Sequence, residues 1–426
     1  MPPLDQATID QVHTEAPEWL CRRRLDAFAV FSDLELPSER DDLWRYVDLG
    51  VSLGDFGLPG AAGNGTPVRS GLADALTDLA GRAVVTDGLV TETSGDPVEV
   101  SGLADAIATA PERIESIYGT AVPVGSDIFT AAHRAFGRDA VVVRARRGKA
   151  GVAPVHILVG AVEADAATFP HVLVDVEDGA EASVIVEYTS HDDVTALVAP
   201  QIEVFTGSNA TLRLTIVQRW GSHTTALATG HVVVGRDATV HLAEAGLGGA
   251  LARFHLTVDL IGRGSSAVVL GAYFGDEDQT LDYRYFMHHV GLNTNSDMFL
   301  KGAVEDDALS VFTGMIRIEE DAQRTNAFQT NRNLILSGGA AAQSVPNLEI
   351  LANDVRCGHG STIGPLDEEQ RYYLMSRGLD SSRADRLQVR GFFEQVLDRF
   401  PTAAVAAPVR AWINDKYVIA QEAGRV

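Results

Sequence analysis

The stretches GAEASVIVEYTS (179–190), GSNATLRLTIVQR (207–219), GRDATVHLAEAG (235–246) and GSSAVVLGAYFG (264–275) share one pattern: a glycine, an alanine three residues on, then mostly apolar strand residues. Their leading glycines, at 179, 207, 235 and 264, are spaced by 28, 28 and 29 residues. A fixed period of this length is one supersecondary unit repeated, and a unit of strands and turns that cannot bury its own apolar face must stack on its neighbours. The Val, Ile, Leu and Thr content excludes a helical solenoid, and a WD40 blade, at ~40–45 residues, is too long. A parallel β-helix remains, with an ordinary β-sandwich and coincidental spacing as the competing arrangement. In the β-helix, glycine supplies a left-handed corner and the small alanine fits where turns approach closely.

Working outward, the strand-rich text runs from about residue 140 to 350, with interruptions back to Ala83-Val84-Val85. Residues 7 to 30 predict a helix, with Pro17 near its start and Trp19, Leu20, Leu25 and Phe28 as its apolar members. Gly54, Gly57, Pro59, Gly60, Gly63, Gly65 and Pro67 mark a linker over 54–68. Further helices are predicted over 71–81, 101–119 and 127–136. Past the β text, Leu366-Asp367-Glu368-Glu369 opens a helix that closes on Arg377-Gly378. Ser381 or Ser382 caps a second, with Ala384, Leu387, Phe392, Val396 and Leu397 on or near its apolar face, before Pro401. A third covers 404–420 with Val409, Trp412, Ile413, Val418 and Ile419. The division is an N-terminal helical region over 1–80, a mainly β core over 81–365 and an α-helical module over 366–426.

Composition narrows the function classes. The 426 residues carry 34 Lys+Arg against 58 Asp+Glu, a formal charge of −24 that repels nucleic-acid backbones and anionic membranes. The start MPPLDQATID has no basic segment followed by an apolar one, and no run approaches the ~18 apolar residues of a membrane span, so a cytoplasmic protein is expected. Only Cys21 and Cys357 are present, too few for a disulfide framework or a four-thiolate site within one copy. The only Gly-Lys, Gly148-Lys149, is followed by Ala150-Gly151, so there is no phosphate-binding loop and no ATP hydrolysis by this chain itself.

The densest chemistry lies in PNLEILANDVRCGHGSTIGPLDEEQRYYLMSRGL, residues 346–379. Cys357 and His359 stand two residues apart, which in a strand puts both side chains on one face. A thiolate and an imidazole both ligate iron or zinc, and Glu349 and Asp354 are available to orient the imidazole. A buried cysteine beside a hydrogen-bonded histidine is the plainer reading of the same pair.

That segment, together with TNAFQTNRNLILS (325–337), VRGFF (389–393), His289 with Asn293-Thr294 and Ser296, and Leu36-Pro37 with Trp44-Arg45-Tyr46, resembles the SufB/SufD family of iron–sulfur cluster assembly scaffold proteins. Residues 54–135 match least. The resemblance implies a right-handed parallel β-helix and a carboxy-terminal module that docks the ABC-type ATPase SufC, with Arg377, Gly378, Leu387, Gly391, Phe392 and Phe393 as docking residues. It also implies pairing of a B-type and a D-type chain through their β-helices. By the same resemblance, iron or a nascent cluster is expected to be held transiently at that interface, by the D-type histidine matching His359 and a B-type cysteine, with no cofactor bound stably by one chain. Cys357 is a possible second metal ligand.

Three features favour the D-type branch: the short chain, the C-x-H-G signature, and Val142-Val143-Arg144-Ala145-Arg146 where B-type chains read VPKGV. Against them, Gln218-Arg219-Trp220 resembles the Gln-x-Trp of the B-type sulfur-transfer path, making Gln218 and Trp220 possible transfer residues. On this reading the chain is not an enzyme. ATP-driven closure of SufC, passed through helices 382 to 420, rearranges the B–D contact. The alternatives are a purely architectural subunit without ligands, a B-like homodimeric scaffold, and a β-helix polysaccharide lyase or esterase. The isolated chain is expected to pair with itself.

Overall fold

A computed structural model describes residues 1–12, 16–60 and 66–422. Gly63 and Gly65 of the expected linker, and residues 13–15 of the expected first helix, lie outside the described residues. The chain winds into a β-solenoid whose ten-stranded and eleven-stranded sheets face each other. From Gln201 to Gly364 successive strands alternate between the two sheets, and each pairs in parallel with the strand one coil earlier. The interior is filled by alternate residues of both sheets, such as Val184, Leu212, Val240 and Ala267 in one and Val204, Val232, Val258 and Met287 in the other.

The coil period is the expected one, but its register is not that of the Gly-x-x-Ala pattern. Residues in left-handed backbone conformation recur at Gly179, Asn209, Asp237, Gly264, Asn293 and Arg324, one per coil. The ladder places Ala182, Leu212, Val240 and Ala267 side by side, so Gly179 and Gly264 share their corner with Asn209 and Asp237 rather than with Gly207 and Gly235. Asn and Asp tolerate that conformation, which is why a glycine count alone misplaces the corner. Gly207 and Gly235 are needed for closeness instead: a Cβ on Gly235 would lie 2.5 Å from the carbonyl oxygen of Thr206 one coil back.

The two ends of the rod differ. At the start, the antiparallel strands Leu89–Gly95 and Glu99–Gly102 close one edge of each sheet. At the other end, Ala341–Ile350 and Arg356–Gly364 are the last strands of their sheets and have no further strand beside them among the described residues.

Helices cover the flanks. α1 (Gln6–Val12), α2 (Glu18–Asp33), α3 (Leu103–Thr109), α4 (Pro111–Ile117) and α5 (Ile128–Phe136) lie over the eleven-stranded sheet. α6 (Glu368–Ser376), α7 (Ser381–Leu397) and α8 (Ala403–Glu422) lie on the ten-stranded one, where Val389, Phe393, Val396, Val409 and Ile413 meet Val217, Ala245, Ala272 and Phe274. The tract expected as one helix over 101–119 is a short strand and two helices, because Pro111 starts a new helix at its first turn. The helix expected over 71–81 is a turn-rich loop instead. There the Gly71 N–H donates to Glu187 of the rod at 2.7 Å, the Leu72 N–H to Ser70 Oγ at 3.1 Å and the Leu76 N–H to the Leu72 carbonyl at 3.1 Å, a single turn that is not continued. α7 is capped by Asp380, whose carboxylate accepts from the Arg383 N–H at 2.8 Å, and not by Ser381 or Ser382. Gly378, at φ 96°, ends α6 as expected of a glycine cap.

Candidate functional site

His359 sits in the middle of the final strand, directly beside Gln329, and Cys357 beside Ala327. Ala327, Gln329, Asn331 and Asn333 point into the rod, so strand alternation turns Cys357 and His359 toward the interior side as well. His359 is nevertheless exposed, because no coil follows to cover it. Cys357 is half-buried against the core, and that burial pushes its thiol up, away from the thiolate a metal requires. Glu349 is engaged by Arg317 at 3.0 Å and Asp354 approaches Arg324, so neither is committed to the imidazole. Among the described residues no group of three or more His, Cys, Asp and Glu can hold a metal ion. A site built on His359 must therefore be completed by ligands from elsewhere.

Behind this open end the core is polar. Asn331 Nδ2 donates to Tyr273 Oη at 3.0 Å, Tyr273 donates to Asn333 Oδ1 at 2.6 Å, and Ser344 and Ser361 extend the network to the last two strands. The side-chain amide of Gln329 is buried without a partner. Deeper in, Trp220 Nε1 donates to Gln218 Oε1 at 3.2 Å, and Gln218 Nε2 and Tyr285 Oη each donate to Glu244 at 3.0 Å. Burial raises Glu244 to about 7. Gln218 and Trp220 are both sealed from solvent, and their polar atoms are used in this node. His289 clasps a corner, with its two ring nitrogens bonded to Thr294 at 2.8 Å and Ser296 at 2.9 Å.

The six residues expected at the ATPase dock separate by exposure. Arg377, Gly378, Leu387 and Gly391 face solvent, Phe392 is half-buried, and Phe393 is a core residue packed 6.4 Å from the Phe274 ring, anchoring α7 to the rod. Leu387, placed by periodicity on the apolar face, is 48% exposed. Beside it α6 displays Tyr372, Tyr373 and Met375, none of which was singled out in the sequence although YYLM is legible there as an unusually apolar helical surface. The resulting apolar patch spans α6 and α7. A cleft beside it is lined by Lys301 and Arg332. The sequence carried no signal for that pair, which lies 31 residues apart and meets only through the coil.

Residues 158–392 match the family model described as the SUF system FeS cluster assembly SufBD core domain. The chain is 29% identical, over 96% of both chains, to an iron–sulfur cluster assembly SufBD family protein of Mycobacterium tuberculosis. It is 27% identical, over 89% of both chains, to the iron–sulfur cluster assembly protein SufD of Escherichia coli. It is 30% identical to SufD of Bacillus subtilis, over 59% of this chain and 58% of that one. With more than half its length under that family model and an uninterrupted two-sheet solenoid beneath it, the chain belongs to the SufBD family of iron–sulfur cluster assembly proteins.

Proposed function

We propose that this chain is the D-type subunit of a SUF scaffold: it pairs with a B-type paralogue through the open end of its rod, docks a SufC-type ATPase on α6 and α7, and contributes His359 to nascent iron or cluster at the paired edge. The observation that carries this reading is the position of His359, exposed on the last strand beside an unpaired sheet edge. Iron and the growing cluster are cargo here, and one imidazole offers a labile hold suited to transfer. In this reading the chain performs no catalysis of its own. The Tyr372, Tyr373, Met375 and Leu387 patch is the ATPase dock, and because α7 is fixed to the rod through Phe393, a displacement of the dock is passed to the sheet. Cys357, half-buried against the core, is a packing residue in this scheme, as are Gln218 and Trp220.

The test is His359→Ala in the co-expressed complex, read by cluster absorbance and by co-purification. Cluster yield is expected to fall sharply with the complex intact, while Cys357→Ala leaves it near wild type. Unchanged yield in His359→Ala would favour the architectural alternative, in which this subunit only holds the B-type chain and the ATPase.

A further inference from the structure

Lys301 and Arg332 stand directly opposite each other on neighbouring parallel strands, on the outward row of the ten-stranded sheet beneath α7. Like charges so placed repel. Neither has a carboxylate within ion-pair distance among the described residues, which is out of place in a chain of formal charge −24. Lys301 is only 1% exposed, and its Nζ donates to the Phe392 carbonyl and to Gln395 Oε1, each at 2.8 Å, leaving one N–H unspent. It also lies 4.0 Å from the Phe392 ring centre. The Arg332 guanidinium has no recorded partner among the described residues, and Gln388 Nε2 is a buried donor with no acceptor.

These groups converge on the cleft of about 750 Å³ between the rod and the helices, with Leu334, Leu366, Tyr373 and Phe392 as its apolar walls. That volume is in the range of small-molecule sites, which combine apolar walls with a few convergent polar groups. Two carboxylates also line it. Asp367 is occupied capping α6, accepting from the Glu369 and Gln370 N–H groups and from Gln370 Nε2, and Glu369 is exposed.

We propose that this cleft binds a small oxyanion-bearing ligand, such as a phosphorylated metabolite, through Lys301, Arg332 and Gln388. An oxyanion in the cleft accepts the third Lys301 N–H, the planar Arg332 fork and the Gln388 amide, and cancels the repulsion between the two cations. Burial and the neighbouring Arg332 push the Lys301 ammonium down to about 8, the response of a cation that lacks its counter-charge. The site includes neither His359 nor Cys357, and it shares Tyr373 and Leu387 with the proposed ATPase dock, on which reading it does not depend.

The experiment is calorimetric titration of the full chain alone, at low ionic strength, with pyrophosphate and then with inorganic phosphate. Saturable one-to-one binding of pyrophosphate is expected, weaker by roughly tenfold or more in Arg332→Gln and in Lys301→Met, since each removes a charge-assisted hydrogen bond. Arg263→Gln, at an exposed corner away from the cleft, should leave binding unchanged. Arg332→Gln replaces an exposed residue, so it reports on binding even if Lys301→Met proves unstable. Absence of saturable binding to the wild-type chain, or equal affinity in wild type and Arg332→Gln, overturns the proposal. So does a chain that ignores pyrophosphate but loses ATPase docking on Arg332→Gln, because the cations then serve an acidic side chain of the partner.

Discussion

Glu244 lies wholly inside the rod, where Gln218 and Tyr285 donate to it and no cation accompanies it. Its folded pKa, raised to about 7, exceeds that of the unfolded chain, so the folded state holds the extra proton between about 4.5 and 7. The stability that proton provides is full at low pH and is lost as pH rises through about 7, on the order of 3 kcal/mol for a sealed group. Urea unfolding of Glu244→Gln against wild type at pH 5 and pH 8 measures this, and the variant should show a flatter profile. An identical pH slope in both proteins would mean that water reaches the carboxylate. At this scale the sequence was informative where side chains act through strand alternation and silent where they act through stacking. Cys357 and His359 share a face because they are two apart, and that much was legible. That His359 is exposed although it faces the interior side follows from the rod ending at that strand, which no local pattern encodes. Glu244, Tyr285 and Gln218 meet only because successive coils bring them side by side, and Lys301 and Arg332 do so for the same reason.

Single elements are held to the rod by a few buried polar bonds. The Trp44-Arg45-Tyr46 segment is an example. Arg284 donates to the carbonyls of Asp42 at 3.1 Å and Arg45 at 2.8 Å, Arg253 donates to that of Leu43 at 2.7 Å, and the Arg253 guanidinium lies 4.0 Å from the Trp44 ring centre. Asp282, fully buried, is bonded to both arginines. Asp282→Asn leaves two buried guanidinium groups without their counter-charge and should cost about 3–5 kcal/mol. Limited proteolysis should then cut between residues 36 and 46 faster than in wild type, and an unchanged cleavage rate would assign the docking to Trp44 packing alone. Over 71–81 the bond from the Gly71 N–H to Glu187 ties one turn to the rod, with Leu72 and Leu76 buried, and the turn is not continued as a helix. On α7, Phe393→Ala should lose about 3–5 kcal/mol as a core truncation. Leu387→Ser, at an exposed position, should leave urea unfolding within about 0.5 kcal/mol of wild type. Equal costs at the two positions would contradict the division of this helix into an anchoring face and a free face.

The molecule as a whole has one closed end and one open end, and the proposed pairing rests on that asymmetry. At the open end two ten- and nine-residue strands present unpaired backbone N–H and C=O groups, with Glu349 and Arg356 as their only Asp, Glu, Lys or Arg residues. Ile350, Leu351 and Ile363 add exposed apolar surface around the same opening, and Phe328 lies on the strand before it. Natural edges are ordinarily blunted by lysine, proline or a covering helix, and the one proline here, Pro346, stops neither strand from pairing with its predecessor. Such an edge is satisfied by a second chain, and when the second chain is another copy the closed solution is a two-fold pair. The isolated protein is therefore expected to sediment as a dimer that dissociates on dilution. Ile350→Lys with Ile363→Lys places like charges across the two-fold contact and should give a monomer, while the exposed sites keep unfolding within about 0.5 kcal/mol of wild type. On the proposed function, the same double variant should lose a B-type partner in co-purification and yet keep the ATPase, because α7 packs on inner strands of the ten-stranded sheet rather than on its last strand. Loss of both partners together would show that the edge and the helices form one continuous interface, and a wild-type chain that stays monomeric at every concentration would remove the edge from the account of assembly altogether.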